Sequence, residues 1–157
     1  MDSMIRDFQQ KDFEDILPLA REEMKESGED VENADVRKAL EGEGRFDLSV
    51  DRIRVLVLKD SRVIGWYRYS PWPAKGMEGK SAHLFDIAVL PPYQKMGYGK
   101  MLFQSMLEDA KKNGYSRVFS HTSATNVKAV NFHKRVGFEI YKSGTDDMVW
   151  IMELSAS

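Results

Sequence analysis

At 157 residues, 42% apolar and 31% charged, the chain is long enough for one domain, spanning 1–157, with a full core. It has no long apolar run, and its start, "MDSMIRDFQQ", lacks a basic, apolar leader, so neither a transmembrane helix nor a signal peptide is expected and the default location is cytoplasmic. The lack of cysteine excludes disulfides, thiolate metal sites and a cysteine nucleophile, and the net charge of −2 hides a division: residues 1–51 carry 7 Lys/Arg against 16 Asp/Glu, the other 106 carry 16 against 9.

In chain order, "MIRDFQ" reads as a first strand. "DFEDILPLAREEMKES" reads as a helix with Asp12 as N-cap, Ile16, Leu19, Ala20 and Met24 on one stripe, and Pro18 as a point of kinking or late start. "NADVRKALEGEG" predicts a second short helix stopped by Gly42 and Gly44. "RIRVLVLKD" and "RVIGWYRYS" predict a hairpin turning near "KDSR". "PWPAKGMEGK" is a loop by its Pro and Gly content. The mostly apolar "SAHLFDIAVL" predicts a central strand covered on both faces. The next helix carries Leu102, Phe103, Met106 and Ala110 on one stripe and stops at Gly114. "YSRVFSHTS" is a strand, "NVKAVNFHKRVG" a helix capped by Asn126 and ended by Gly137, and "FEIYKS" and "DMVWIMEL" a closing strand pair. The order β-α-α-β-β-β-α-β-α-β-β predicts an α/β fold, a mixed sheet with helices on both faces.

The segment "PPYQKMGYGKMLF" stands out. Gly97 permits a positive φ or close approach of a ligand, and Gly99 removes a side chain from the first helical turn. Backbone N–H groups at a helix N-terminus, with Lys95 and Lys100 beside them, suit phosphate oxygens. A tight strand-to-helix turn without a ligand reads equally well from these residues. A Walker A loop and a dinucleotide fingerprint both fail on spacing, the latter because Leu102 stands where the third glycine belongs.

"LFDIAVLPPYQKMGYGKMLFQSML" resembles the core motif of the GNAT superfamily of N-acetyltransferases: an apolar strand, a V-x-P-like turn, Q/R-x-x-G-x-G/A, then a helix. "NVKAVNFHKRVGFE", about thirty residues on, is similar to the family's N-x-x-A-x-x-[LF]-Y-x-[KR]-x-G-F segment. The resemblance implies the acyl-CoA N-acyltransferase fold, with a mostly antiparallel central sheet, and acetyl-CoA as donor. It implies pyrophosphate binding by backbone groups of Gln94, Lys95, Met96, Gly97, Tyr98, Gly99 and Lys100. It also implies pairing of the pantetheine arm with Ile87, Ala88 and Val89 beside a strand bulge, and Asn126 and Phe132 at the pantetheine end.

Acetyl transfer by direct attack through a tetrahedral intermediate needs a neutral amine, and a lysine-like amine with pKa near 10.4 is only about one part in 2,500 neutral at pH 7. A base, an oxyanion donor and an acid for the thiolate are therefore expected. The resemblance gives the oxyanion donor as the Val89 N–H. Its usual acid, a tyrosine, is replaced by His133. His121 lies where ribosomal-protein N-terminal acetyltransferases carry a glutamate base, and His83 near where histone-type members carry theirs. The expectation is that His121 takes the amine proton and His133 protonates sulfur. His83 is a further candidate, and Asp86 a rival base on the opposite strand face from His83. Each also reads as packing.

The family builds its acceptor groove from the first two helices and facing loops, here the acidic part of the chain. A cationic small-molecule amine or a peptide amine is the expected acceptor, and Trp66, Tyr67, Tyr69 and Trp72 either stack on it or fill the core. A homodimer is a possible assembly. Neither nucleic acid nor membrane is an expected partner. The replaced tyrosine keeps a second class open: an acetyl-CoA-binding sensor or partner subunit without turnover.

Overall fold

Seven short runs form a single sheet, and all but the exposed edge strand Glu139–Ser143 carry partly or fully buried positions. The computed structural model describes residues 2–26, 28, 36–37, 49–59 and 62–154. The strands are β1 (Ser3–Asp7), β2 (Arg52–Leu58), β3 (Val63–Trp72), β4 (Lys80–Val89), β5 (Tyr115–Ser123), β6 (Glu139–Ser143) and β7 (Asp147–Glu153). The helices are α1 (Phe13–Glu26), α2 (Tyr98–Lys112) and α3 (Val127–Val136). The sheet order is β1-β2-β3-β4-β5-β7-β6. Every pair is antiparallel except β4–β5. The order matches the one expected, with β4 in the middle. The expected second helix lies outside the described residues apart from 36–37.

α1 lays Ile16 and Leu19 on Val55, Val63 and Trp66 of one sheet face. α2 lays Leu102, Phe103 and Met106 on Leu56, Ile64 and Leu84 of the other, and Phe132 of α3 packs beside them. Trp66, Tyr67 and Tyr69 are buried in these cores, so of the four aromatics considered for acceptor stacking only Trp72 is left partly open.

Two local expectations are corrected. Asp12 does not cap α1. It ends a 3-10 turn (Gln10–Asp12) capped by Gln9, where its carboxylate accepts the Gln9 N–H at 2.8 Å and the Arg6 guanidinium at 2.8 and 2.9 Å. β3 also runs on through Pro71 and Trp72, which pair with Ala82 and Ser81 of β4, so the loop starts two residues later than its composition suggests. Pro18 sits inside α1, whose first turn is already laid at Phe13.

Candidate active site

β4 carries one residue more than β3 needs. Leu84 faces Tyr69 and Asp86 faces Arg68, leaving Phe85 as a bulge. Pairing with β5 stops at the same point, the last partners being Leu84 and Ser120. Beyond it the two parallel strands part, and residues 85–89 have a strand neighbour on one side only. Leu90 N–H reaches back to the Ile64 carbonyl of β3 at 2.8 Å. By strand alternation the N–H and C=O of Val89 and Ile87 therefore turn to the open side, and those of Ala88 turn back to β3.

The bulge also corrects the placement of Asp86. Three residues from His83, it belongs on the opposite face of a regular strand. The extra residue restores it to the same face: His83 faces Ser70, Asp86 faces Arg68, and both look toward the α1 side. There Arg68 Nε donates to Asp86 at 2.6 Å and Nη1 donates to Asp51 at 3.1 Å. Trp66 Nε1 donates to Glu23 of α1 at 2.9 Å. Burial and the neighbouring Asp86 push the Glu23 carboxyl well above its usual range.

At the foot of the split lies the glycine turn. After a 3-10 turn (Pro91–Tyr93), Lys95 has φ 63° and Gly97 φ 88°, so two left-handed residues flank Met96 just before α2. Such alternation curls backbone N–H groups inward. The first intrahelical bond runs from Met101 N–H to the Gly97 carbonyl at 3.1 Å, which leaves the N–H groups of Tyr98, Gly99 and Lys100 to point out of the helix end. A Cβ on Gly99 would meet no heavy atom within 4 Å. Packing does not require this glycine, and the space above it suits a phosphate. Gln94 braces the turn, donating to the Val89 carbonyl at 2.8 Å and accepting from Lys128 of α3 at 2.9 Å. Asn126 caps α3 through the Ala129 N–H at 3.1 Å.

The histidines divide. His133 is buried, with Nδ1 donating to the Ala129 carbonyl at 2.7 Å and Nε2 at 2.8 Å from Ser120 Oγ, and it stacks on Trp150 at 5.2 Å. Both nitrogens are committed, so the acid role expected of it is not carried forward. His121 is exposed on β5, one residue past the last β4–β5 pair. Its Nδ1 lies 2.5 Å from His83 Nε2. His83 is buried, wedged between the rings of Trp72 (4.6 Å) and Phe85 (4.2 Å), and its Nδ1 has no partner among the described residues. Their pairing is invisible in the sequence because 38 residues separate them; only the parallel register joins them.

Burial holds all three imidazoles below the ordinary histidine range, and His121 and Arg68 help to bring His83 down to about 3. Unfolded, each titrates near 6.5, so as pH falls below that value the unfolded chain binds protons the fold refuses. For His83 stability then drops by up to about 1.4 kcal/mol per pH unit, and the other two add to the decline in the same direction. Glu23 has the opposite sign, its raised carboxyl favouring the fold as pH falls. Urea denaturation between pH 7 and 5 is expected to show falling stability in the wild type and a flatter profile in His83→Phe. Equal slopes would mean that His83 contributes nothing to the decline.

A parallel strand pair that parts over a glycine-lined helix end, with an imidazole at the rim, is the arrangement of an acyl-CoA-dependent transferase. Residues 11–138 match the family model described as the acetyltransferase (GNAT) family, and the chain belongs to that family. Over 85 residues it is 29% identical to the L-ornithine N5-acetyltransferase NATA1 of Arabidopsis thaliana, covering 54% of this chain and 37% of that one. Over 57 residues it is 33% identical to the [ribosomal protein bS18]-alanine N-acetyltransferase of Escherichia coli K12, covering 36% and 38%. The match thus spans little more than a third of either relative. The fold is that of the PaiA N-acetyltransferase of Thermoplasma acidophilum, solved with coenzyme A, at TM-score 0.77, 19% identity and coverage of 98% and 99%. A GNAT-family acetyltransferase of Staphylococcus aureus superposes at TM-score 0.78 with 14% identity, over 98% of this chain and 100% of that one. No helix among the described residues is long and apolar enough to cross a membrane.

Proposed function

We propose that the protein transfers the acetyl group of acetyl-CoA to a primary amine, with the donor seated in the β4–β5 split and His121 contacting the reacting atoms. The observation that carries this reading is the coincidence of the Phe85 bulge, the open edge at Ile87 and Val89, and the space over Gly99. The donor supplies an activated thioester. The chain supplies N–H groups at the head of α2 for the pyrophosphate and the Val89 N–H for charge developing on oxygen. Asn126 and Phe132 sit at the α3 side. Asp51 and Asp86 outnumber Arg68 on the α1 face, which suits a cationic acceptor; a free small-molecule amine and a peptide α-amine both fit that description. His133, sealed in the core where the family carries tyrosine, favours a second reading, an acetyl-CoA sensor without turnover.

Thiol release from acetyl-CoA distinguishes the two, and a chain without cysteine gives no background. A panel of polyamines, aminoglycosides, amino acids and N-terminal peptides is expected to give release above the amine-free control. No release from any class, with acetyl-CoA still bound in calorimetry, would support the sensor.

A further inference from the structure

A neutral imidazole has one N–H and one lone pair, so a hydrogen bond between two neutral rings fixes both tautomers at once. The bond from His83 Nε2 to His121 Nδ1 has two possible directions. If His121 donated its Nδ1–H, His83 would keep its own proton on Nδ1. That atom is buried without a partner among the described residues, and His83 as a whole is only 4% exposed. An orphaned N–H at such depth is among the rarest defects of folded proteins. If His83 donates from Nε2, its Nδ1 carries only a lone pair, and a buried acceptor left unpaired is a commoner feature of folded proteins than a buried donor left unpaired. His121 then accepts at Nδ1 and holds its proton on Nε2.

We infer that His121 serves the reaction as a neutral hydrogen-bond donor through Nε2–H, not as the base that sequence position suggests, and that His83 is the positioning residue that keeps it so. The inference rests on the reading that His121 meets the reacting atoms. A neutral imidazole donor can polarise a carbonyl without giving up its proton. The amine's lone pair forms the N–C bond at the thioester carbonyl and the C=O pair moves onto oxygen, where it accepts the His121 N–H. The C=O re-forms as the C–S bond breaks with its electrons on sulfur, and the proton shed by nitrogen reaches sulfur through solvent. Arg68, on the β3 side, opposes a second proton on His83. Asp147 of β7 favours charge on His121 but is outweighed by burial.

Nitrogen-15 spectra of the ligand-free, histidine-labelled protein at neutral pH test this directly. His121 is expected to show a protonated Nε2 and a bare Nδ1, and His83→Phe to turn that signal into a tautomer mixture. A protonated Nδ1 with a bare Nε2 in the wild type would overturn the inference, and so would a His121 signal indifferent to His83→Phe. In turnover, His121→Gln keeps a donor and loses the basicity. It is expected to hold kcat within about tenfold of wild type while His121→Ala loses about 100-fold or more. Gln as inactive as Ala means a base, and the inference fails while the reading stands. Full kcat in His121→Ala removes the reading itself.

Discussion

Replacing Asp109 with alanine is expected to cost about 2–4 kcal/mol of folding stability. Asp109 lies on α2 at 8% exposure and accepts four hydrogen bonds, the longest from the Asn113 amide at 3.4 Å. Arg52 reaches its two oxygens at 2.8 and 3.0 Å, and the Tyr69 hydroxyl lies at 2.6 Å. Burial alone would raise this carboxyl, yet the hydrogen bonds from Arg52 and Tyr69 hold it below the usual range. Alanine leaves the buried Tyr69 hydroxyl with only the Asn113 amide, which donates to it at 3.1 Å, and takes from the hydroxyl its own acceptor. It also takes two hydrogen bonds from Arg52, which among the described residues keeps only its ion pair with the exposed Asp7 at 3.2 Å. Breaking a fully buried pair costs about 3–5 kcal/mol, and the figure here is lower because the Arg52 side chain is 37% exposed. The contribution is present above the ordinary aspartate pKa and is lost as pH falls through the depressed one. Urea denaturation near pH 7 measures it; a loss under about 1 kcal/mol would mean that the clamp matters little.

The second large effect is expected to divide stability from binding. Gly99→Asp should weaken acetyl-CoA by about 100-fold or more, close to 3 kcal/mol, while the fold becomes no less stable. A Cβ finds open space at Gly99, a non-glycine residue suits a helix better by roughly 0.5–1 kcal/mol, and a carboxylate in the first turn favours the helix dipole. The same carboxylate sits where the pyrophosphate is proposed to lie. Gly99→Ala should show the same division with a smaller binding loss. Calorimetry and urea curves on both variants decide it. Unchanged binding in Gly99→Asp would place the phosphate elsewhere. Gly97 is a different case, because its φ of 88° makes any side chain there strained regardless of ligand.

Much of this was readable in the chain. Period-2 and period-3.6 patterns give the strands and helices in their order, because one packed face per element leaves a mark at fixed spacing. The glycine turn is legible because positive φ and an open helix start demand small residues. The bulge is not. "LFDIAV" is apolar on both faces, so an extra residue breaks no visible alternation, and Asp86 is assigned to the wrong face. The roles of His133 and His121 depend on partners that no local pattern marks. Ser120 of β5 meets His133 and His83 of β4 meets His121, and only the assembled sheet brings these pairs together.

The parting of β4 from β5 also bears on how the molecule behaves in a test tube. A sheet of this order should have two free borders, β1 and β6. This one has a third, in its middle, where residues 85–89 have no strand partner on the β5 side. Such a border is a template for strand addition by another chain. Whatever fills the split acts as a missing strand, so a donor seated there as proposed would also guard against aggregation, and preparations stripped of it are the ones in which self-association should start.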